Sequence, residues 1–327
     1  MAKKRILSGM RPTGPLHLGN LHGALANWKS MQDDYECFFF IADWHALTTD
    51  YDTTTPIQGY ILDVFLDWLS VGLSPEKSTL FVQSHIKEHA ELFLLLSMIT
   101  PLPWLERNPT YKEQIAQLKN RDLSNFGFLG YPVLQAADII MYKANGVPVG
   151  IDQAPHVELT REIARRFNHF YGDIFPIPET ILTETSKILG LDRRKMSKSY
   201  NNAIFLSNPP DEIRGKVSEM ITDPQRARRS DPGDPAVCNV FSFHQLYSDQ
   251  ETIQRVDQEC REAKIGCVEC KQMMAENLIE ALEPIHEKRS YYEAHPDTVR
   301  AIIEDGNQRA QAVARKTMEE VRAAVKI

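Results

Sequence analysis

The chain lacks any apolar run long enough to cross a bilayer. Its most apolar stretch, Leu92 to Leu105, is broken by Pro101 and Pro103 and falls short of the ~20 residues a spanning helix needs. Nor is there a signal-peptide h-region: Lys3, Lys4 and Arg5 run straight into a short apolar strand. A cytoplasmic protein without a membrane partner is expected. Positive charge is also in deficit, 37 Lys and Arg against 44 Asp and Glu, for a formal charge of −7. That balance argues against a protein that coats nucleic acid, DNA included, but it leaves room for local basic patches. Repeats and low-complexity segments are absent. Cysteine is scarce and unevenly placed: of five in 327 residues, Cys37 stands alone and the other four fall within 238–270. In a reducing compartment such a cluster reads as metal binding before disulfides.

What is present is the make-up of a soluble globular protein, 43% apolar and 25% charged. The length fits two domains of about 150 residues each. The stretch Ser8 to Gly23, SGMRPTGPLHLGNLHG, follows a short apolar strand from Arg5 to Ser8, and the periodic run Leu18, Leu21, Leu25, Trp28 then opens a helix. A strand, a glycine-rich turn and a helix start make an anion site, because unpaired N–H groups and the helix dipole point at the ligand. The spacing is neither the dinucleotide nor the P-loop fingerprint, so an ordinary turn is equally compatible with this stretch alone.

Cys37 to Ala42 is a continuous apolar run, the mark of a buried parallel strand. It ends at Asp43, Trp44 and His45, where ligands of open α/β sheets bind. An amphipathic helix from Ile57 to Leu69, a strand from Thr79 to Gln83, a strand from Val147 to Gly150 and a helix beginning near His156 continue the alternation. The expected fold is therefore α/β, a Rossmann-like doubly wound parallel sheet. A helical insertion is expected at about 85–130, as a packed lid or a dimer interface. The catalytic domain is expected to span 1–205, with an α-helical domain over 206–327 whose last helix packs back on the catalytic domain. Pro176 to Leu191 reads as loop. Tyr131, Gln135 and Asp138 fall on one helical face among Val, Leu, Ala and Ile, as a pocket for a flat side chain with a polar tip would require. Later in the chain, Lys195-Met196-Ser197-Lys198-Ser199 offers ammonium and hydroxyl groups to a polyphosphate.

His17-Leu18-Gly19-Asn20 and the Lys195 to Ser199 pentapeptide together resemble the two signatures of class I aminoacyl-tRNA synthetases. Arg11 to Gly14, Tyr131 to Ile140 and Val147 to Arg161 narrow the likeness to the bacterial tryptophanyl branch, over essentially the whole chain. The resemblance implies a homodimer that activates L-tryptophan with ATP and Mg²⁺ and esterifies tRNA(Trp). Catalysis would come from positioning and charge stabilisation rather than a side-chain nucleophile. It also implies Lys195, Lys198 and His17 as catalytic groups. ATP contacts would be Arg11, Pro12, Thr13, Gly19, Asn20, Gly150, Ile151, Asp152, Ile188, Lys195, Met196, Ser197, Lys198 and Ser199. Asp138 would accept the indole N–H, with Gln135, Tyr131, His45 and Gln153 around the amino acid. Two departures stand out: Asn20 replaces a second His, and Gln135 stands where many members carry Met. Tyr131, Gln135 and Asp138 also resemble the phenol-reading set of tyrosyl-tRNA synthetases, so tyrosine is the second expectation; a non-catalytic RNA-binding or metal-sensing paralogue is the third.

The remaining cysteines read Cys238-x21-Cys260-x6-Cys267-x2-Cys270. Four thiolates hold either a [4Fe–4S] cluster or tetrahedral Zn²⁺. Only one CxxC pair is present, against the two of common structural zinc sites. A subset of bacterial tryptophanyl-tRNA synthetases carries [4Fe–4S] on nearly this spacing, with one more residue in the first gap, so a cluster that shapes the anticodon-binding surface is expected first, zinc second and free thiols third. Cys37, in a core strand, is expected to be inert.

Overall fold

A computed structural model describes residues 3–109, 111–112, 123–183 and 188–327. The chain falls into two compact units: Met1–Gly14, Ala24–Thr185 and Tyr292–Ile327 make the first, Pro15–Gly23 and Ser186–Tyr291 the second.

In the first unit, β1 (Arg5–Met10), β2 (Glu36–Ile41), β3 (Ser78–Val82), β4 (Gly146–Val149) and β5 (Glu179–Leu182) form one parallel sheet in the order β3-β2-β1-β4-β5. β2 and β3 carry the apolar segments read from the sequence. Every residue of β3 is buried, as is every residue of β2 after Glu36. This is the strand order of a doubly wound sheet, and its winding reverses between β1 and β4. β5 corrects the loop reading of Pro176 to Leu191. It is a four-residue edge strand with no buried residue, so it carries no core pattern that could have been read.

Helix Phe126–Met141 packs on helices Glu88–Ser97 and Ala154–Tyr171, burying Val133, Ala137, Ile140, Leu92, Val157 and Ile163 in one cluster. The expected insertion at about 85–130 holds helices Glu88–Ser97 and Leu102–Glu106; its residues 110 and 113–122 lie outside the described residues. The last helix, Pro296–Val325, belongs to this unit and lies along β3. Its Asn307 Oδ1 accepts from the Val82 N–H at 3.0 Å. A Cβ on Gly306 would sit 1.7 Å from the Leu80 carbonyl oxygen, so only glycine admits this approach. Ala310, Ala314, Met318 and Val321 then enter the same core cluster as Phe81 and Leu92.

The helix expected from Leu18 through Trp28 is not continuous. A turn over Leu18–Asn20 passes into a π-turn over Leu21–Leu25, broken at Gly23 (φ −96°, ψ −107°), and helix Ala26–Met31 follows. The apolar spacing persisted through a residue whose backbone is free to leave the helix. The second unit is otherwise helical, with Pro210–Glu219, Asn239–Tyr247, Gln250–Arg261 and most of Cys267–Ala294. No helix among the described residues is long and apolar enough to cross a membrane.

Candidate active site

A cavity of about 380 Å³ opens where the winding of the sheet reverses. Leu7 to Arg11 from β1 and its exit, Phe40 from β2 and Val147 and Val149 from β4 form much of its wall, and His45, Tyr131, Gln135, Asp138, Gln153 and His156 supply polar groups. The five side chains expected around an amino acid therefore meet in one place, together with Arg11. The size lies at the small end of the ~300–1,000 Å³ of ligand sites, right for an amino acid and tight for a nucleotide. Pro12, Thr13, Gly150, Ile151 and Asp152 do not line it. Arg11 forms an ion pair with Asp50 at 3.4 Å and donates to the Thr49 hydroxyl.

Asp138, fully buried, is the most heavily bonded group in the wall. Its Oδ1 accepts from Gln83 Nε2 at 2.8 Å and from His89 Nδ1 at 2.6 Å. Its Oδ2 accepts from Gln83 Nε2 at 2.9 Å and from His45 Nε2 at 2.8 Å. Burial alone would raise its pKa; the hydrogen bonds from His45 and His89 outweigh that and hold the carboxyl below its usual range. An ionised carboxylate only accepts, so both histidines present N–H to it. Gln83 and His89 were not singled out from the sequence, because each comes from a different segment with no local pattern. Tyr131 is placed similarly: its hydroxyl lies 3.2 Å from His156 Nε2, whose Nδ1 takes an N–H from Asn108 at 3.1 Å. Burial keeps His156 neutral, with its pKa lowered to about 4.

The second unit brings the two short signatures together. Leu18 N–H donates to Ile204 at 3.1 Å and Leu206 N–H to Leu16 at 2.9 Å, tying the first signature to the segment just after Ser199. Asn20 Oδ1 accepts from the His17 N–H at 3.0 Å. A Cβ on Gly19 would stand 2.9 Å from the His17 ring, so glycine lets the imidazole fold over the turn. His17 Nδ1 is buried and has no hydrogen-bond partner among the described residues, as a group awaiting a ligand would be. Burial first, then Lys198 and Lys195, lower its pKa to about 4, so it meets a ligand as neutral imidazole. Met196 is buried and its N–H donates to Ile188 at 3.1 Å. Asn202, overlooked in the sequence, pins the loop: its Oδ1 accepts from Ser197 N–H at 2.8 Å, and its Nδ2 donates to Asp192 at 2.7 Å and to the Lys195 carbonyl at 3.3 Å.

Cys238, Cys260, Cys267 and Cys270 are gathered in the same unit. Arg226 Nη1 reaches Cys260 Sγ at 3.6 Å and Cys267 Sγ at 3.9 Å, and His244 Nε2 lies 3.5 Å from Cys270 Sγ. Burial, and then each of the other three thiols, pushes Cys270 up to about 12. The thiols thus sense one another, although among the described residues no group of three or more His, Cys, Asp or Glu side chains is arranged to hold a metal ion. Cys37 is buried in β2, its thiol also pushed up to about 12, by burial foremost.

A parallel sheet wound in this order, an amino-acid-sized cavity at the reversal and a paired histidine and lysine signature define a nucleotide-dependent enzyme of the class I synthetase kind. Residues 2–283 match the family described as tRNA synthetases class I (W and Y). The chain belongs to that family. It is 52% identical to the tryptophan–tRNA ligase of Thermotoga maritima, over 99% of both chains. It is 46% identical to the tryptophan–tRNA ligase of Aquifex aeolicus, over 99% of this chain and 100% of that one. Among solved structures it resembles the tryptophanyl-tRNA synthetase of Campylobacter jejuni in complex with ADP and tryptophan, with a TM-score of 0.92, 32% identity, and coverage of 99% of this chain and 100% of that one.

Proposed function

We propose that this chain activates L-tryptophan with ATP and transfers it to tRNA(Trp). In the first step the tryptophan carboxylate attacks the α-phosphorus and pyrophosphate leaves, giving tryptophanyl-adenylate. In the second the terminal ribose hydroxyl of the tRNA displaces AMP. The observation that carries the reading is Asp138: a buried, ionised acceptor in the wall of a largely apolar cavity suits a flat side chain with one N–H, and indole nitrogen is a donor only. Gln135, Tyr131, His45 and Gln153 complete the amino-acid pocket. In the second unit, His17, Gly19, Asn20, Ile188 and Lys195 to Ser199 hold ATP. Lys195 and Lys198 neutralise the departing pyrophosphate, and Mg²⁺ supplied with ATP would add further charge neutralisation.

The assay is tryptophan-dependent exchange of pyrophosphate into ATP. Exchange with tyrosine alone would replace the substrate, and exchange with neither would leave only a binding module. Homodimerisation in the cytoplasm is part of the reading; the exposed apolar side chains Leu94, Met98, Leu102 and Phe126 on and beside the insertion support it. Anticodon recognition falls to the region after 206, where the loop residues Arg226, Arg228 and Arg229 line one cleft. The gathered Cys238, Cys260, Cys267 and Cys270 hold a [4Fe–4S] cluster that shapes this surface. The support is the sequence spacing of the four and the approach of Arg226 to Cys260 and Cys267, a charge that suits an anionic cluster. Anaerobically purified protein should be brown with broad absorption near ~400 nm; a colourless preparation with stoichiometric Zn²⁺ would assign zinc instead.

A further inference from the structure

Asp138 is braced by groups that do not line the cavity. Of its three partners, His45 is a wall residue, whereas Gln83 and His89 are fully buried and lie outside the wall. His89 spends both nitrogens: Nδ1 bonds Asp138, and Nε2 lies 2.7 Å from the hydroxyl of Tyr142, itself fully buried. With Nδ1–H committed to the carboxylate, Tyr142 O–H donates to Nε2, so the chain Tyr142–His89–Asp138 has one direction throughout. The His89 ring is walled in by Phe40, Phe81 and Tyr142, at centroid distances of 6.3, 6.2 and 5.4 Å.

The plane of an aspartate carboxylate is soft, because its terminal torsion is broad and two-fold rather than staggered. Here it is held at both ends. Oδ1 accepts from His89 and Gln83, Oδ2 from Gln83 and His45, so rotation breaks bonds at both oxygens at once. We propose that His89, braced by Tyr142 and joined by Gln83, is a positioning residue for amino-acid selection, fixing the carboxylate plane so that Oδ2 is offered to the indole N–H. The inference rests on the cavity being the tryptophan site. A site that bonds a substrate N–H rejects analogues lacking it by the worth of that bond, which depends on how the acceptor is aimed. A carboxylate free to turn aims it less well, and the rejection weakens.

The test compares wild type, His89→Ala, His89→Asn and Tyr142→Phe by pyrophosphate exchange with tryptophan and with phenylalanine. Asn retains a side-chain donor near the Nδ1 position. His89→Ala should raise the tryptophan KM by about 10- to 100-fold, the worth of a buried bond to a charged group. The ATP KM should stay within about threefold, and the preference for tryptophan over phenylalanine should shrink by about tenfold or more. His89→Asn should recover most of the preference, and Tyr142→Phe should fall between. If His89→Ala does not fold, Tyr142→Phe decides. Equal rises in both KM values, or a wild-type preference in His89→Ala or Tyr142→Phe, would overturn the positioning role while tryptophan-dependent exchange by wild type stands. Wild-type exchange that ignores tryptophan would overturn the reading beneath it and this inference with it.

Discussion

Replacing Asp138 is the direct test of how the amino acid is chosen, and the choice of replacement decides what is measured. Alanine removes the acceptor for Gln83, His89 and His45 together. Each buried donor left unpaired costs ~1–3 kcal/mol, and three of them approach the whole ~5–15 kcal/mol that keeps a protein folded. Asp138→Ala would therefore report on folding before binding. Asp138→Asn keeps the shape and one oxygen. If that oxygen stays with Gln83 and His89, where both neighbours donate, the new amide NH₂ faces His45, whose imidazole can accept by moving its proton to the other nitrogen. The His45 bond is then reversed and the second Gln83 contact, at 2.9 Å, is lost, for about 1–3 kcal/mol of stability. The consequence at the cavity is larger. The group offered to the ligand becomes a donor facing the indole donor, and the lost charge-assisted bond is worth about 1.5–3 kcal/mol, or about 10- to 150-fold in the tryptophan KM. Exchange kinetics at varied tryptophan and at varied ATP, with urea unfolding run in parallel, separates the two effects. A folded Asp138→Asn protein with wild-type tryptophan KM would refute the role given to the carboxylate. A rise shared equally by ATP would refute the separation of the two substrates.

Other outcomes follow from the same geometry. Asn202→Ala unpins Ser197 and Lys195; it should raise the ATP KM by about tenfold or more with the tryptophan KM little changed, and an equal rise in both would show that the loop does not serve ATP. Acid should weaken the fold between pH about 6.5 and 4, because His17 and His156 have folded pKa values lowered to about 4. Over that window the unfolded chain binds protons the native one refuses, so stability is complete above pH 6.5 and is lost as pH falls. The His156 share is on the order of 3 kcal/mol, and urea midpoints of wild type and His156→Gln should converge toward pH 4; parallel curves would dismiss it. Gly306→Ala should lower the urea midpoint by the equivalent of about 1–3 kcal/mol of overpacking without altering either KM, whereas an unchanged midpoint would mean the helix shifts freely along β3.

Much of the sheet was legible in the sequence. Cys37 to Ala42 is a continuous apolar run and Thr79 to Gln83 holds a shorter apolar core because both faces of these strands are covered, and Tyr131, Gln135 and Asp138 kept their helical spacing because they share one wall of a cavity. What stayed hidden was whatever depends on distant partners or on a single backbone angle. Gln83 and His89 converge on Asp138 from 55 and 49 positions away. Asn202 looks like any loop asparagine until its three bonds are seen. The apolar period of Leu18 to Trp28 says nothing of the break at Gly23, and β5 buries no residue that could announce it.

The last helix has a consequence for how the protein is made. β3 is an edge of the sheet, and one of its amides, Val82 N–H, is satisfied by Asn307, a residue 225 positions later. While a ribosome is still short of that helix, β3 carries an open amide and an uncovered apolar flank, the arrangement that invites strands of neighbouring chains. Completion of the first unit must wait until the intervening second unit, Ser186–Tyr291, has been made. A messenger stalled before codon 306 would thus release a nascent chain prone to sticking, and holdase chaperones should engage it until Gly306 and Asn307 arrive.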